Sequence, residues 1–538
     1  MNIQLIYQYN ASAEKIYSYL EKAYGRVKAE DITIGGLPHM VIKIADPEFQ
    51  GKRNINTYKA INNCLNEEII APMLKVNNIG YIGDEEGIIR SYEVVISDLD
   101  ILSIRVVYHG RGNNKPKYVR QGDNPKVSEI ARRVFLIMGL DIAMVRIAYT
   151  TRRRLKVISI NPSPILRERD LNRVLEKIDE IYMLDKVLPT KEIKLGADPE
   201  FIIFNSKTNR LISASRFFPR EGMVGCDNIR MQNRQQRPIA EIRPRPSTCP
   251  LKLSNNIRQA LDTASRMAPY HNVKWLAGSQ PGGAYSIGGH IHFSNIKVNA
   301  GIIRALDNYL AIPLHLIEEP TSAVRRRKRY GFLGDFRVKD HGGFEYRTPA
   351  SWLISQQITT AVLCLAKIII SNYHMLSKNF LNSVESQRAF YTGDQDHFRP
   401  LFPELWEDIE KTDMYKEYKE ELQIIPDMIS SHTIWAEKSD FRKAWKLKPT
   451  PRRQLKSEID RSLQRASIVP TVPTPRPPVS TRIRSSNRRN IRTRTSSSVR
   501  SESLGSYNRI STNLARGNSS RGRIITSAQV RRAHVVRN

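Results

Sequence analysis

The charge of this 538-residue chain is concentrated at its C-terminal end, and this uneven distribution limits which part can fold. Residues 451–538 contain 20 Lys and Arg against 3 Asp and Glu, and Tyr507 is their single aromatic residue. Ser, Thr, Pro and Arg make up most of the segment. Such a composition buries too little apolar surface to offset the entropy lost on ordering. We therefore predict a disordered basic tail over residues 447–538.

A basic excess also characterises the whole chain. Lys and Arg total 85 against 53 Asp and Glu, and the formal net charge is +32 at pH 7. This balance favours an acidic partner such as nucleic acid, nucleotide phosphates or an anionic surface. In the tail, basic residues without interleaved aromatic residues favour phosphate contacts over base stacking, which predicts non-specific nucleic-acid binding. A solubilising tail and an anchor for an acidic protein are the alternatives.

Several classes of protein are excluded by what the chain lacks. Its four cysteines include no CxxC pair, which excludes a four-cysteine zinc site and a disulfide scaffold. The N-terminus lacks a basic region followed by an apolar stretch, so no secretory signal is expected. The most apolar run, Ile358–Ile370, contains two threonines and a lysine and predicts a buried helix, not a membrane span. We expect a protein that is neither secreted nor embedded in a membrane.

A second boundary is predicted near residue 190. Residues 171–185 place apolar side chains at spacings of three and four, which predicts an amphipathic helix, and the connector LPTKEIKLG follows. On both sides of it, strand-like runs such as SYEVVISD alternate with helical runs such as LSNNIRQALDTASRM. The pattern predicts α+β folds over residues 1–189 and 190–446.

Two segments in the second part place charged residues two positions apart. In GADPEFIIF, Asp198 and Glu200 precede an apolar run, and residues i and i+2 of a strand share a face. Two carboxylates on one face leave like charges that a divalent cation neutralises well. IAEIRPRPS carries Glu241 and Arg243 at the same spacing. Taken alone, each pair also fits a solvated strand face or a surface ion pair.

Three further segments complete the set. SIGGHIHFS predicts that His290 and His292 share a strand face, with glycines that let the backbone approach a ligand closely. A hydrogen-bonded histidine pair is the alternative. RRRKRYG is a basic run beginning at residue 325, which alone fits a solvated surface. FEYRTPASWL repeats the acid–arginine spacing with Glu345 and Arg347.

Together the five segments supply the groups that phosphoryl transfer from ATP requires. Carboxylates and imidazoles can hold two or more hard cations, and guanidiniums can bind phosphate oxygens. Metal ions then bridge the phosphates, while arginines stabilise the charge that develops on the transferred group.

The order DPE, ExR, GGHIHFS, arginine run and FEYRTP resembles that of the glutamine-synthetase-like carboxylate–amine ligases, and most closely the bacteriophage family called COOH–NH2 ligase type 2. The resemblance covers about residues 190–446, and GGHIHFS and FEYRTP are its most specific parts. It implies a curved antiparallel sheet backed by helices that holds ATP and Mg2+ (or Mn2+). The implied reaction joins a carboxylate to an amine as an amide through an acyl phosphate.

The resemblance also implies roles for individual residues. The implied metal ligands are Asp198, Glu200, Glu241, His290 and Glu345. The implied catalytic residues are Arg347, Arg327 and His292, and the ATP phosphates would contact Arg325, Arg329 and Arg347. One departure from the family pattern occurs in VGCDNIRMQ, where Asp227 is followed by Asn228 instead of glycine.

The N-terminal 189 residues resemble the last third of an ATP-grasp domain in SIRVVYHG, ARRVFLIMGLDIAMVRIAY and KVISINPSP. The family usually places acidic metal ligands where Arg146 and Ser159 stand, and only Asn161 is retained. Without those carboxylates Mg2+ would be held poorly, so a degenerate domain is favoured over a second active ligase. Arg105, Arg120 and Arg146 remain able to bind an anionic group.

Two other functions compete with the ligase. One is a structural or nucleic-acid-associated phage protein with a ligase-like core that does not turn over, and the other is a metal-dependent phosphatase or nuclease. The identities of the carboxylate and amine substrates, which could be small molecules, peptides or proteins, are left open. A homo-oligomer is also compatible with the resemblance, as are locations in the host cytoplasm or in the virion.

Overall fold

A computed structural model of the chain describes residues 2–45, 52–82, 87–109, 115–184, 192–231, 235–283, 285–340 and 342–447. The predicted basic tail lies outside the described residues, except for Leu447. Within the described part of the chain, no helix combines the length and apolar character needed to cross a membrane.

Helices and strands alternate in the N-terminal half, residues 2–184, around two sheets. Its strands are β1 (Asn2–Gln8), β2 (Val27–Ile34), β3 (Leu37–Ala45), β4 (Lys52–Ile55), β5 (Ile88–Ser97), β6 (Asp100–Tyr108), β7 (Lys117–Val119), β8 (Ile142–Thr150) and β9 (Leu155–Asn161). Its helices are α1 (Ala11–Tyr24), α2 (Tyr58–Leu65), α3 (Glu67–Val76), α4 (Pro125–Ile137) and α5 (Glu168–Leu184). The strand orders are β2-β3-β1-β4 and β7-β6-β5-β8-β9, and β1 with β4 is the parallel pair among them.

The C-terminal half, residues 192–447, consists of short strands followed by many helices. Its strands are β10 (Lys194–Ala197), β11 (Glu200–Asn205), β12 (Leu211–Ile212), β13 (Val224–Cys226), β14 (Ile239–Ile242), β15 (Val273–Leu276), β16 (Ile291–Ser294), β17 (Phe336–Val338) and β18 (Phe344–Tyr346). Its helices are α6 (Pro250–Met267), α7 (Ala300–Leu306), α8 (Ile312–Ile317), α9 (Pro320–Arg327), α10 (Gln356–Asn372), α11 (Val384–Thr392), α12 (Phe402–Glu410), α13 (Tyr415–Leu422), α14 (Ile424–Ser430) and α15 (Phe441–Ala444). Short 3₁₀ turns cover Gln121–Asp123, Ala214–Arg216, Pro281–Gly283 and Arg399–Leu401.

Two antiparallel sheets of the C-terminal half carry the candidate site. We call the sheet of order β10-β16-β18-β17 the histidine sheet, and the sheet of order β12-β11-β14-β13, in which β15 also pairs with β11, the glutamate sheet. Helix α10 passes through the core of this half and is buried from Ile358 to Ile370 apart from Thr360. The predicted buried helix in this region is therefore confirmed, as is the α+β class of the chain.

Local sequence signals account for several element ends. The side chain of Asn10 caps α1 by accepting from the backbone N–H groups of Ser12 and Ala13, and Gly25 ends the helix in the left-handed region at φ 65°. Ser355 caps α10 in the same way through the N–H of Ile358. The predicted helix over residues 171–185 corresponds to α5, whose apolar side packs on β1, β3 and β5.

One predicted helix is interrupted. The apolar periodicity of residues 300–317 predicts continuous helix, but a π-helical turn at Asp307–Ala311 separates α7 from α8. Pro313, at the start of α8, lacks the N–H that a regular α-helix would use. The π turn shifts the helical phase, and the Asp307 carboxylate accepts a 2.7 Å hydrogen bond from Tyr346 of β18.

The two halves share a hydrophobic core and a polar seam. The largest apolar cluster includes Phe135 of α4 together with Leu306 of α7. Across the seam, Asn63 donates to Asn382 at 2.9 Å, and Gln387 donates to the carbonyl of Ile137 at 2.8 Å. The predicted boundary near residue 190 therefore separates two parts that pack closely, and its exact extent stays a prediction.

Candidate functional site

The DPE segment lies at the point where the chain passes from one sheet to the other. Strand β10 of the histidine sheet ends at Ala197, Asp198 and Pro199 form the link, and β11 of the glutamate sheet begins at Glu200. The expectation that Asp198 and Glu200 share a face of one strand is therefore wrong, because the strand is broken between them. The break gives each carboxylate its own sheet.

Asp198 lies between the two histidines of the GGHIH segment. Its Oδ1 is 2.9 Å from Nδ1 of His290, and its Oδ2 is 3.1 Å from Nε2 of His292. Burial alone would raise the pKa of the Asp198 carboxyl, but the two imidazoles lower it below its ordinary value. Both histidines thus face one carboxylate, as the predicted shared strand face requires.

A row across the histidine sheet brings Glu345 to the same place. The register pairs His292 with Glu345 and Glu345 with Arg337. Oε1 of Glu345 lies 3.4 Å from Nδ1 of His290 and 3.2 Å from Nε of Arg347. Its Oε2 lies 2.5 Å from Nζ of Lys339 and 3.7 Å from Arg337.

These neighbours determine how Glu345 ionises. Its carboxylate is 2% exposed. Burial and the nearby Asp198 would raise the pKa of the Glu345 carboxyl, but His290 and Lys339 lower it. The Glu345 carboxylate is therefore buried beside three cationic side chains, those of Arg337, Lys339 and Arg347.

The glutamate sheet contributes a second acidic pair. Glu200 and Glu241 are directly opposed on β11 and β14, and both are buried. Glu200 accepts a 2.7 Å hydrogen bond from the N–H of Gly288, and Glu241 contacts the guanidinium of Arg243.

Both carboxyls have raised pKa values, and the causes lie within the site. Burial raises the pKa of Glu200, and the charges of Asp227, Glu241 and Asp198 raise it further. Burial and the charge of Asp198 raise the pKa of Glu241 to about 8. Asp227 therefore belongs to the acidic cluster, although the sequence marked it only as a departure from the family pattern.

The donor set fits a divalent metal ion. Asp198, His292 and Glu345 each offer one ligand atom, and these atoms lie within 4.8 Å of one another. The opposed carboxylates of Glu200 and Glu241 form a second place where like charges lack a full complement of cations. Carboxylate oxygens with one imidazole suit Mg2+ or Mn2+.

The structure separates the arginine run into exposed and buried members. Arg325 and Arg329 are exposed, whereas Arg326 and Arg327 are buried. Arg327 pairs with Glu318, donates 2.9 Å to the carbonyl of Phe390 and stacks on its ring. The resemblance implied a catalytic role for Arg327, but in this arrangement its donors are used inside the helical core.

Arg326 and Tyr330 were not among the site residues predicted from the sequence. Arg326 donates to the carbonyls of Ile287, Thr348 and Pro349 at 2.7–2.8 Å and so joins α9 to the segments that carry the histidines and Arg347. The Tyr330 hydroxyl contacts Nε2 of His290 and accepts a 3.2 Å hydrogen bond from Arg347.

No spacing pattern indicated these contacts. The tyrosine follows the basic run, where its ring lies under the guanidiniums of Arg326 and Arg347 at 4.8 and 5.0 Å. Lys339 was also missed, because it follows a three-residue strand in a turn.

The paired glycines before His290 have a structural use. A Cβ at Gly288 would overlap the ring of His290 and the hydroxyl of Tyr330, and a Cβ at Gly289 would overlap Trp352. These glycines therefore make room for the site's own side chains, instead of the ligand that the sequence predicted.

Two of the arginines predicted to bind an anionic group, Arg105 and Arg146, lie on one row of the larger sheet of the N-terminal half. Arg146 pairs in register with Glu93 and Ser159, and Glu93 with Arg105. Nη1 of Arg105 is 2.8 Å from Glu93, so its charge is matched there. Arg120 lies apart from this row, at the 3₁₀ turn before α4.

Buried carboxylates, histidines and flanking cations in one α+β site are typical of metal-dependent enzymes that act on phosphates. Residues 195–447 match the model of the family described as "Phage phiEco32-like COOH.NH2 ligase-type 2". The predicted resemblance over residues 190–446 is thereby confirmed. No curated protein sequence matches the chain.

Solved structures share only weak similarity with the chain. The macrocyclase MdnB from Microcystis aeruginosa MRC is 8% identical, with a TM-score of 0.22, and the alignment covers 33% of this chain and 97% of that one. The ATP-grasp ligase PsnB, complexed with a minimal precursor, is 8% identical with a TM-score of 0.15, covering 34% and 54%. A Chryseobacterium gregarium RiPP-associated ATP-grasp ligase, in complex with ADP and a leader and core peptide, is 10% identical with a TM-score of 0.15, covering 34% and 55%. The chain spans about half the length of the last two.

Proposed function

We propose that the C-terminal half is an ATP-dependent ligase that joins a carboxylate to an amine through an acyl phosphate. The family match over residues 195–447 supports a carboxylate–amine ligase. The observation that carries the proposal is the convergence of Asp198, His292 and Glu345, from three separate segments, on one point. A non-catalytic core would not need buried carboxylates, which are costly to bury even when cationic side chains lie beside them.

Two groups of side chains would bind Mg2+ or Mn2+. Asp198, His292 and Glu345 would hold one ion, and Glu200 with Glu241 would hold another. When bound, the metal ions would neutralise phosphate oxygens and so lower the barrier to transfer. The resemblance implied His290 as the metal ligand, but the grouped ligand atoms belong to His292. His290 would instead orient Asp198, since its Nδ1 lies 2.9 Å from that carboxylate.

The cationic side chains around Glu345 would bind the phosphates of ATP. Arg347, Lys339 and Arg337 all lie within 3.7 Å of the Glu345 carboxylate and would place their remaining donors toward the nucleotide. Exposed Arg325 and Arg329 could contact the same phosphates from α9. A guanidinium offers two parallel donors to phosphate, which favours arginine in this role.

The proposed reaction has two balanced steps. An oxygen of the substrate carboxylate attacks the γ-phosphorus, the bond from phosphorus to the β–γ bridging oxygen breaks, and ADP leaves. The amine nitrogen then attacks the acyl carbon, the bond from that carbon to the phosphate oxygen breaks, and inorganic phosphate and a proton are released. Arg347 would stabilise the charge on the transferred phosphoryl group in the first step.

Trapping with hydroxylamine tests this proposal without knowledge of the natural amine. The full chain is incubated with ATP, Mg2+, hydroxylamine and a set of carboxylic acids that includes short acidic peptides. We expect ADP and a hydroxamate in equal amounts, and loss of both in Glu345→Gln but not in Glu407→Gln, which changes an exposed glutamate of α12. ADP without hydroxamate would refute the acyl phosphate, and absence of both with every acid would favour the non-catalytic, nucleic-acid-associated alternative.

A further inference from the structure

A polar groove lies next to the glutamate sheet, and its lining includes none of the residues given a role in the proposed reaction. Its volume is about 420 Å³. Arg245, Asn256, Gln259, Arg266 and Met223 line it. Most of these side chains come from the outer face of α6.

The two arginines of this groove lack an acidic partner among the described residues. Arg266 donates a 2.9 Å hydrogen bond to the hydroxyl of Thr263, a neutral group. Asp262 also lines the groove, but it already pairs with Arg258 at 3.6 Å. The groove therefore presents two guanidiniums to which a carboxylate ligand can bind with charge-assisted hydrogen bonds.

The backbone connects this groove to the candidate site. Glu241 is followed by Arg243 and Arg245, and each of these arginines precedes a proline, which favours extended backbone. Four residues of extended chain span about 13 Å. The carbonyl of Arg245 accepts a 2.8 Å hydrogen bond from Asn256, which fixes the segment to α6.

The groove and the acidic cluster are also neighbours through β13. The N–H of Arg243 donates to the carbonyl of Met223 at 2.7 Å, while the Arg243 guanidinium contacts Glu241. Met223 therefore lies between the groove, which it lines, and the segment that follows Glu241. The polar walls of the groove, with the side-chain amides of Asn256 and Gln259, offer donors and acceptors to a peptide backbone.

We propose that this groove binds an extended, acidic peptide segment of the ligase substrate, with its carboxylates on Arg245 and Arg266 and its reactive end at Glu241. A span of about 13 Å corresponds to about four residues of extended peptide. The inference rests on the proposed ligase function, which it extends by naming the substrate class.

Photo-crosslinking tests the inference on the full chain. The probe is tetraglutamate with an N-terminal benzoylphenylalanine, whose excited ketone inserts preferentially into methionine C–H bonds, and the labelled residue is identified by mass spectrometry. We expect labelling of Met223 in the wild type and a fall of at least about tenfold in Arg245→Gln/Arg266→Gln, as the loss of two charge-assisted contacts predicts. Lys416→Gln/Lys419→Gln removes the same charge from α13, outside the groove, and should label as the wild type does.

The outcomes separate this inference from the proposed function. Glu345→Gln should keep the label on Met223 even when ATP turnover is lost, because the groove does not include Glu345. A wild type without label on Met223, equal labelling of the double arginine variant, or equal labelling by a tetralysine probe would each overturn the inference. Label found only beyond residue 447 would show that the basic tail, not the groove, captures acidic peptides.

Discussion

Replacement of Arg326 by methionine should destabilise the protein strongly, although the residue stands in a basic run that, taken alone, fits a solvated surface. Its side chain is 1% exposed, and its guanidinium donates to the carbonyls of Ile287, Thr348 and Pro349 at 2.7–2.8 Å. Burial lowers the pKa of Arg326 to about 10, so the guanidinium is still charged at neutral pH. It therefore acts as a clamp between α9 and the site segments.

The magnitude follows from the carbonyls left behind. A buried acceptor without a partner costs about 1–3 kcal/mol. Arg326→Met would leave the carbonyls of Ile287 and Thr348 in this state, whereas the carbonyl of Pro349 keeps the N–H of Gly289. Removal of a buried charge recovers part of this cost, and breaking a buried charged contact is generally worth about 3–5 kcal/mol. We expect a loss in that range, which corresponds to a fall in Tm on the order of 10 °C.

Thermal unfolding monitored by tryptophan fluorescence measures this effect. Arg325→Met is the matched control. Arg325 is exposed, so its replacement should change the free energy of unfolding by less than about 0.5 kcal/mol. An Arg326→Met variant that melts within about 2 °C of the wild type would refute the assignment of Arg326 to the core. Equal losses of stability in Arg326→Met and Arg325→Met would mean that the arginine run acts as one charged surface.

Three further predictions concern the site and its surroundings. Tyr330→Phe removes the hydroxyl that contacts His290. Because the imidazole would then be misplaced, ATP turnover measured by steady-state kinetics should fall about ten- to hundredfold. Binding of an ATP analogue, measured by calorimetry, should change little. Mn2+ at one hundred times its Kd should stabilise the folded state by about 2.7 kcal/mol and so raise the Tm. Asp198→Asn should abolish this rise in thermal melts. Burial raises the pKa of Asp307 to about 7. The folded state therefore holds a proton that the unfolded state loses near pH 4, so stability falls as pH rises from about 4 to about 7. Asp307→Asn should reduce this fall in denaturation curves measured across that range, while the part that comes from Glu200 and Glu241 remains.

Each of these predictions has a contradicting result. Equal losses of binding and turnover in Tyr330→Phe would mean that the tyrosine contacts the nucleotide directly. A Tm increase by Mn2+ that survives Asp198→Asn would place the metal elsewhere, and so would an increase that is lost equally in the exposed control Asp396→Asn. An unchanged pH dependence in Asp307→Asn would mean that other buried acids control stability in this range.

Sequence patterns predicted the parts of the molecule that depend on short-range regularities. Apolar spacing located α5 and the buried helix α10, and the i, i+2 spacing of His290 and His292 placed both on Asp198. The same spacing failed for Asp198 and Glu200, because a sheet-to-sheet link interrupts the strand there. A periodic pattern cannot reveal such a break when the residues on both sides remain strand-like.

The division of the arginine run could not be predicted from the sequence. Arg325, Arg326 and Arg327 are chemically identical, and their roles depend on carbonyls and an acid that lie far away in the chain. Arg327 finds Glu318, and Arg326 finds the carbonyls around Pro349. Tyr330 was missed for the same reason, since its role depends on the tertiary approach of His290.

Binding of a non-hydrolysable ATP analogue to the full chain, measured by calorimetry with and without Mg2+, tests the central claim most directly. We expect binding that requires the metal and is lost in Glu345→Gln, while the exposed-residue control Glu407→Gln binds like the wild type. Binding that is independent of metal and unaffected by Glu345→Gln would assign the nucleotide to another part of the chain. Absence of binding with either Mg2+ or Mn2+ would contradict the claim that this site uses ATP.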